Sequence, residues 1–402
     1  MTSAFRSLIN GAKAFAIGNS GSKASMQDLF PAVDKAVDGD DCDRDCDSCA
    51  VQYPKSFKID ESDDLYGFVK GWSTHVLVAT GKTDWVRDVA DEKGSVMQAI
   101  AHAKPPSNGR LLLSASNIPT PHSPPSYSQP TTVLLLPAFL LIENVTPATV
   151  PTLLTSIVSS SPTTTTPLTA KVSVPPSLPA PLPEGTPAAL KDLTTRACPH
   201  RALILLCSQR TRDARCGQSA PLLRKEFQRH LQPLGLYRDL DDERPGGVGI
   251  YFISHVGGHK YSANVMVYRR PDAFGVDAAR RAETGGDLVI TRHDNSNGND
   301  NGNGNGNGNG NGNGSIAMDC GNGENGSGEG QVEQERERER EGEGDGERGE
   351  ENVGAGQCIW LARVRPEDCE GIIKFTVLQG KVVKPERQLR GGFDRARGLL
   401  SW

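Results

Sequence analysis

Apolar residues in the first half of the chain recur in short runs whose spacing distinguishes strands from helices. Residues 75–79, 111–115 and 133–141 form apolar runs of strand length. Asp84 is a residue type that caps helices, and it precedes a segment that we predict to be helical to about residue 103. A second helix is predicted from Thr146 to about residue 158. The predicted order is therefore strand, helix, strand, strand, helix.

The second half of the chain repeats this order. Its predicted strands are residues 202–206, 248–254, 263–268 and 359–364. Ser219, with Pro221 near the first helical position, predicts the start of a helix that ends at Gly235. Pro366 predicts the start of a last helix, which extends to about residue 378. Element order thus predicts an α/β fold with two thioredoxin-like domains.

Low-complexity sequence interrupts these elements. Residues 105–130 and 159–187 are rich in Pro, Ser and Thr, and the largest insertion, residues 272–357, contains an Asn-Gly repeat and a Glu/Arg/Gly run. Such compositions bury too little apolar surface to offset the entropy of ordering, so we expect disorder there. Because a loop-closure cost grows slowly with length, the fold can tolerate the insertion.

The predicted domain organisation follows from these boundaries. It comprises a flexible N-terminal arm (residues 1–41), an N-terminal thioredoxin-like domain (42–190), a second thioredoxin-like domain (196–271 and 358–380), the disordered insertion (272–357) and a C-terminal tail (381–402).

Composition and charge narrow the classes of partner. Of the 402 residues, 36% are hydrophobic, and the formal net charge of -5 does not indicate a nucleic-acid partner. The longest apolar run, residues 133–142, is interrupted by Pro137 and is about half of the ~20 residues that a transmembrane helix requires. We therefore expect neither nucleic-acid nor membrane binding.

Cysteine usage points to a reducing compartment. The chain has nine cysteines, an odd number, and no signal-peptide pattern in residues 1–20. A cytoplasmic location is therefore expected. Arg6, Lys13 and Lys23 precede the first acidic residue, Asp28, which is weakly similar to a mitochondrial transit segment and keeps mitochondria as the alternative.

Two cysteines and two histidines have the spacing of a metal site. Eight residues lie between Cys207 and Cys216, and His255 and His259 follow later in the chain. Each pair comes after a strand-like run. Two thiolates and two imidazoles suit either structural zinc or an iron-sulfur cluster. Zinc-finger histidines usually lie on a helix, whereas Gly257 and Gly258 between these histidines disfavour one. The glycines favour a loop that approaches a bulky cofactor closely.

Four motifs carry a resemblance to a known family. They are Arg215-Cys216-Gly217, His255-Val256-Gly257-Gly258-His259-Lys260-Tyr261, Asn264-Val265 and Ile359-Trp360-Leu361. On these motifs the chain resembles the sucrase/ferredoxin-like proteins over residues 196–269 and 358–378, and more weakly over residues 73–145. The resemblance implies that the second domain is a thioredoxin-like ferredoxin.

The resemblance also implies a cofactor, a ligand set and a function. Cys207, Cys216, His255 and His259 would hold one [2Fe-2S] cluster, with two Cys on one iron and two His on the other. Imidazole ligands raise the reduction potential of such a cluster and add groups that can exchange protons. The expected function is electron transfer or redox sensing with an unidentified redox partner protein. No substrate pocket and no carboxylate pair of a glycosidase are indicated.

Two further functions stay open at this point. One is a zinc-stabilised thioredoxin-like binding module, and the other is a thiol oxidoreductase that uses the Cys46-x-x-Cys49 pair. Several Asp residues around Cys42, Cys46 and Cys49 should raise the pKa of these thiols, which disfavours a catalytic thiol and favours flexible or incidental metal-binding thiols, with a second cluster as a further alternative. The remaining histidines, among them His75, His200 and His230, have no partner pattern.

The sequence ends in Leu400-Ser401-Trp402. An aromatic residue beside a free carboxylate resembles the tripeptide by which client proteins bind the cytosolic iron-sulfur targeting machinery. We therefore predict that machinery as a partner and count the motif in favour of the cytosol. The alternative is a Trp402 side chain that packs back onto the domain.

Overall fold

The computed structural model describes residues 22–123, 125–168, 193–275 and 352–402. In this part of the chain, thirteen strands form one mixed sheet and helices pack against it. The strands are β1 (Ser22–Lys23), β2 (Thr74–Ala79), β3 (Leu111–Ser116), β4 (Thr131–Leu136), β5 (Leu140–Val145), β6 (Thr194–Ala197), β7 (Ala202–Cys207), β8 (Tyr237–Arg238), β9 (Val248–Ile253), β10 (Val265–Arg269), β11 (Gln357–Leu361), β12 (Leu389–Asp394) and β13 (Leu399–Leu400).

The helices lie mostly between these strands. They are α1 (Met26–Leu29), α2 (Lys35–Asp38), α3 (Val96–His102), α4 (Val150–Thr152, continued by a π-helix, Leu153–Val158), α5 (Ala214–Leu231), α6 (Cys369–Gly371, continued by a π-helix, Ile372–Val377) and α7 (Pro385–Gln388). Short 3-10 turns occur at Val89–Asp91, His259–Tyr261 and Pro366–Asp368. The predicted α/β class is confirmed.

The two halves of the sheet have the same internal pairing. In the first half, β2 pairs parallel with β3 and antiparallel with β4, which pairs with β5. In the second half, β7 pairs parallel with β9 and antiparallel with β10, which pairs with β11. The helices α3 and α5 make the equivalent crossovers. This repetition is compatible with two thioredoxin-like units; the division into two such domains stays a prediction.

The halves meet edge to edge between β3 and β9. Ser116 and Ile253 form the single ladder pair between these strands. Side chains complete the seam: the Asn117 side-chain oxygen accepts the Phe252 N–H at 2.7 Å, and Ser254 Oγ accepts a backbone N–H of β3 at 3.0 Å. The seam places the residues that follow Ser254 beside both halves.

Both faces of the central strands are buried. In β7, Ala202, Ile204 and Leu206 belong to one hydrophobic cluster, and Leu203 and Leu205 belong to another. Side chains of a strand alternate between its faces, so burial on both sides produces a continuous apolar run rather than an alternating one. This is why the strands were visible in the sequence.

One cluster is shared by the two halves. It contains residues of β2 and β4 together with residues of β7 and β10. Within it, the rings of Trp72 and Trp360 meet edge to face, with centroids 5.6 Å apart. Since each half contributes a face to this cluster, the halves are joined by packing as well as by the seam.

Proline residues explain two differences from the predicted elements. The run at residues 133–141 is a hairpin of β4 and β5 rather than one strand, because Pro137 has no N–H for a ladder bond. Helix α5 begins at Ala214 rather than near Ser219, because the Asp213 carboxylate caps it by accepting the Arg215 N–H at 2.9 Å. Pro221 therefore lies inside this helix.

The helix predicted after Asp84 is shorter than expected. It is limited to α3 and the preceding 3-10 turn, and Ser95 provides the cap of α3. The Asp84 carboxylate is used elsewhere, because it accepts hydrogen bonds from Thr211 at 3.0 and 2.8 Å. A tertiary contact has taken the place of the predicted local cap.

The segments predicted as an arm and a tail contribute to the sheet. In residues 381–402, β12 pairs with β11, and β13 pairs with both β12 and β1, from the predicted arm.

Residues 1–21, 169–192 and 276–351 lie outside the described residues, and the last of these ranges includes most of the predicted insertion. At its end, Asn352 accepts a hydrogen bond from Arg270 at 2.7 Å. Within the described chain, no helix has both the length and the apolarity to cross a membrane.

Candidate metal centre

The two predicted cysteine ligands lie at the end of a strand and the start of a helix. Cys207 is the last residue of β7, and Cys216 is in the first turn of α5. Cys207 is 2% exposed and Cys216 is 0% exposed. The tertiary fold therefore brings together, in the core, two thiols that are separated by a loop in the sequence.

The surroundings of the two thiols favour one thiolate. A hydrogen bond from Cys207 lowers the pKa of Cys216 to about 5, and contacts with His255 and Ser262 add to the effect. The same hydrogen bond, together with burial, raises the pKa of Cys207. The Cys216 Sγ lies 3.2 Å from Ser262 Oγ, near the positive end of the α5 dipole. Anionic sulfur is the form that binds metals.

The two predicted histidine ligands lie on the loop after β9. Gln209 accepts the His255 N–H at 2.9 Å and so ties this loop to the cysteine loop. Gly258, at φ 71°, precedes the 3-10 turn that begins with His259. The two imidazole rings lie with centroids 5.2 Å apart. The predicted loop, rather than a helix, carries the histidine pair.

Arg390 supports this loop from behind. Its guanidinium donates to the Gly257 carbonyl at 3.0 Å and to the Asn264 side-chain oxygen at 2.8 Å. A side chain at position 258 would bring its Cβ within 2.7 Å of this guanidinium. Asn264 in turn donates to the Gly258 carbonyl at 3.0 Å, as expected for a residue that bonds to loop backbone.

The donor atoms fit a bound metal group. The Nδ1 atoms of His255 and His259 are buried and have no hydrogen-bond partner. A buried polar atom without a partner is costly, and these two nitrogens are free to bind a ligand. Together with the thiol pair, they give two sulfur and two nitrogen donors, which are the donor types of iron and zinc sites.

These four donors do not converge as they would on one ion. Among the described residues, the group whose donor atoms all lie within 4.8 Å of one another is Cys46, His230 and Glu370. In the predicted quartet, Cys216 contacts both Cys207 and His255, and the His259 ring lies beside the His255 ring.

One edge of the site is accessible. The His259 side chain is 44% exposed, and its Nε2 lies 4.0 Å from the Asp213 carboxylate. Hydrogen bonds from Arg215 hold the pKa of Asp213 below its usual value, so this carboxylate is anionic at neutral pH. Arg215 is thereby engaged by Asp213 rather than directed at solvent.

A cavity of about 510 Å³ adjoins the other histidine, although the sequence indicated no pocket. His255, Gln209 and Arg212 line it on the side of the second half, and Arg87 and Arg110 line it on the side of the first. The rest of the wall is mainly apolar, with contributions from α3 and β3. The space beside His255 is therefore both positively charged and apolar.

Three contributors to the site carry no sequence signal. Arg390, Gln209 and Ser262 have no motif spacing that relates them to the ligands, and each acts through a contact that only the fold creates. Lys260, in the histidine motif, directs its charge away from the ligands, because its ammonium pairs with Asp63 and Asp60.

The other cysteines and histidines divide into core and cluster positions. Cys198, Cys358 and Cys369 are buried, and Cys320 lies outside the described residues. His75 is bonded in the core to Tyr268 and Ser114, as expected for a structural histidine. His230, which has no partner pattern in the sequence, lies in the last turn of α5 beside Cys46 and Glu370.

Comparison with known proteins decides the family. The model of the sucrase/ferredoxin-like family matches residues 65–391, which is most of the chain. The chain belongs to the sucrase/ferredoxin-like family. The resemblance inferred from the four motifs is thereby confirmed, and the match includes both halves of the sheet. No solved structure matches this member of the family.

Curated relatives of this sucrase/ferredoxin-like protein are fungal. Actin patches distal protein 1 of Saccharomyces cerevisiae is 56% identical over 70 residues, which cover 17% of this chain and 22% of that protein. Altered inheritance of mitochondria protein 32 of Clavispora lusitaniae is 39% identical over 71 residues, 18% of this chain and 22% of that protein. The same-named protein of Debaryomyces hansenii is 42% identical over 66 residues, 16% and 20%. The matches span about a fifth of each relative.

Proposed function

We propose that this chain is an iron-sulfur protein for electron transfer or redox sensing that binds one [2Fe-2S] cluster. Cys207 and Cys216 would hold one iron, and His255 and His259 the other. The observation that carries the proposal is the meeting of a buried thiol pair with two imidazoles whose Nδ1 atoms have no partner.

The spread of the four donors supports a cluster over a zinc ion. A tetrahedral zinc site needs four donors at about 2.0–2.3 Å from one point. No three of the four donors meet the 4.8 Å mutual distance that Cys46, His230 and Glu370 meet in the described chain. Donors spread more widely than one ion requires suit a group of two metal ions.

The protein environment has defined tasks around the cluster. When bound, the cluster would supply one-electron chemistry, at a potential raised by its imidazole ligands. The backbone N–H groups of Gln209 and Val256 hydrogen-bond to the Cys207 sulfur and would stabilise its thiolate once a metal group is bound. The Arg390 cation behind the loop favours the more negative, reduced state of the site.

The redox partner would approach the exposed edge at His259. The His259 side chain is 44% exposed, and electron transfer is favoured by short paths to the surface. Asp213 lies beside it with its charge paired to Arg215, so the partner would contact the exposed imidazole without a large electrostatic contribution from this pair.

Delivery of the cluster by the cytosolic iron-sulfur targeting machinery through Leu400, Ser401 and Trp402 is also a proposal. Leu400 and Ser401 are buried, and the Trp402 ring stacks on Trp72 with centroids 4.4 Å apart. Capture of Trp402 by a receptor would therefore have to compete with this stacking. The cytoplasmic location, with mitochondria as the alternative, and the absence of nucleic-acid and membrane partners stay predictions.

A spectrum with metal analysis tests the proposal directly. Protein purified without oxygen should be coloured and should contain two irons and two sulfides per chain, in proportion to the visible absorbance. Reduced samples should give the electron paramagnetic resonance signal of a mixed-valence pair. A colourless protein that carries zinc at Cys207 and Cys216 would instead establish the zinc-stabilised module.

A further inference from the structure

A second group of metal-binding side chains lies at the far end of α5. The donor atoms of Cys46, His230 and Glu370 all lie within 4.8 Å of one another. The Cys49 thiol hydrogen-bonds to Cys46 but lies outside this group, so it would complete a set of four donors by turning its sulfur towards the other three. His230 follows Cys216 by fourteen residues on the same helix, so at 1.5 Å per residue this group is roughly 20 Å from the proposed cluster.

We propose that Cys46, Cys49, His230 and Glu370 form a structural zinc site. It would be independent of the iron-sulfur cluster. Two sulfur donors with one nitrogen and one oxygen are a borderline-soft set, which selects zinc over calcium or magnesium. Four protein donors also fill a tetrahedral shell, as structural rather than catalytic zinc sites do.

The charges around the group suit a divalent cation. On binding, both thiols release their protons to solvent, so two thiolates and the Glu370 carboxylate surround the two positive charges of zinc. The Arg229 guanidinium lies 3.7 Å from Cys46 Sγ, and it also pairs with the buried Glu226 carboxylate at 2.8 Å, so the site keeps a negative balance that a cation reduces. Without a metal, burial and the neighbouring Cys46 raise the pKa of Cys49 to about 12.

The three elements that meet here show what the site would hold together. Cys46 and Cys49 belong to residues 39–73, a described stretch that contains no helix or strand. His230 is in the last turn of α5, and Glu370 is in α6. A metal ion would crosslink this irregular segment to the two helices.

The segment is already positioned for such a crosslink. The Cys46 N–H donates to the Glu367 carbonyl at 2.9 Å. The buried Glu226 carboxylate accepts the N–H groups of Ala50 and Val51 at 2.9 and 3.1 Å. These bonds bracket Cys46 and Cys49 and hold their backbone against α5 and the turn before α6.

Zinc analysis of full-length variants tests the site apart from the cluster. In the double variant Cys207→Ser, Cys216→Ser, iron should be lost while one zinc per chain survives dialysis. In the double variant Cys46→Ser, His230→Gln, zinc should fall at least tenfold while iron and the visible spectrum persist. The control variants Cys42→Ala and His102→Gln, at positions outside the group, should keep both metals.

Cobalt and trypsin provide readouts besides zinc content. Co²⁺ added to the Cys207→Ser, Cys216→Ser protein after zinc removal should produce the intense bands of tetrahedral thiolate coordination, and these should disappear with Cys46→Ser. Loss of the metal crosslink should also increase the rate of tryptic cleavage after Arg44 and Lys55 by at least tenfold.

Three results would overturn the inference. They are unchanged zinc in the Cys46→Ser, His230→Gln protein, no zinc in the Cys207→Ser, Cys216→Ser protein, and a Cys46–Cys49 disulfide in freshly isolated protein. The disulfide, seen as resistance of both residues to alkylation until reduction, would assign the pair to thiol redox chemistry instead.

Discussion

Arg390 donates a hydrogen bond to the Asn264 side-chain oxygen at 2.8 Å. The Asn264 side chain in turn donates to the Gly258 carbonyl, in the loop that carries His255 and His259. The guanidinium also lies over the Trp360 ring, 4.3 Å from its centroid, and burial lowers its pKa to about 10. The loop is thus held by a buried cation at neutral pH.

Arg390→Gln should lower the midpoint potential of the cluster. Removal of a positive charge disfavours the reduced, more negative state, and a charge that interacts by about 1–2 kcal/mol shifts a one-electron potential by roughly 40–90 mV. Potentiometric titration measures the shift. Arg395→Gln is the matched control, because Arg395 is a buried arginine with a pKa also lowered to about 10 that bonds to Val353 and Ala355. Equal potentials in the wild type and Arg390→Gln would contradict the role of this cation.

Substitution of the four predicted ligands should separate their roles. Cys207→Ser or Cys216→Ser should remove most of the iron, because a thiolate is lost from the buried pair. His255→Cys or His259→Cys should keep a cluster at a lower potential, since thiolate adds negative charge. Iron analysis and voltammetry provide the measurements. Full iron content and an unchanged potential in all four variants would exclude these residues from the site.

His75 should make stability depend on pH below neutrality. Burial lowers the pKa of His75 in the folded state to about 3, from its ordinary value of 6.5. The unfolded chain therefore binds a proton first, so stability should fall as pH decreases from about 6.5 towards 3, by up to about 1.4 kcal/mol per unit from this residue. Urea unfolding at several pH values should show a smaller slope for His75→Gln and an unchanged slope for the exposed His102→Gln. Identical slopes for the wild type and His75→Gln would refute the assignment.

Trp402→Ala should destabilise the fold. Its ring stacks on Trp72 and meets Phe393 edge to face, and a half-buried aromatic side chain contributes roughly 2 kcal/mol. Gly71→Ala should have a similar effect, because its Cβ would lie 2.0 Å from the Trp402 ring. Urea denaturation measures both. If Trp402→Ala instead leaves stability unchanged but reduces iron loading in cells, recruitment of the targeting machinery is its main role.

Deletion of residues 276–351 should leave the cluster intact. The flanking strands β10 and β11 pair directly, and Asn352 is bonded to Arg270 next to the point of exit. A short Gly/Ser linker from Gly275 to Asn352 should therefore preserve the spectrum and the unfolding midpoint. A colourless deletion protein would show that the removed segment supplies a ligand or a structural element.

Sequence patterns were informative where burial is continuous. The runs that became β2, β7, β9 and β10 are apolar on both faces, so their composition alone marks them. Helix boundaries were less predictable. Asp84 and Asp213 are equally good cap residues in isolation. In the fold, Asp84 bonds to Thr211 whereas Asp213 caps α5, and only the tertiary contacts distinguish them.

The same distinction applies to the candidate site. Cys207, Cys216, His255 and His259 stand out through their spacing and neighbouring glycines, and the fold brings them together. Arg390 lies more than a hundred residues after the loop that it supports, in a segment that was predicted to be a tail. A single sequence contains no signal for such a pair, because the contact depends on how β12 enters the sheet.

The one-pair seam between β3 and β9 also bears on how the protein can be divided. Within its own half, each of these strands would be an edge with unpaired backbone groups, and β8 covers only the start of β9. Exposed apolar edges such as Phe252-Ile253 promote aggregation through strand pairing. Each half therefore covers the edge strand of the other half. A fragment that contains only one half should precipitate even if its core is complete.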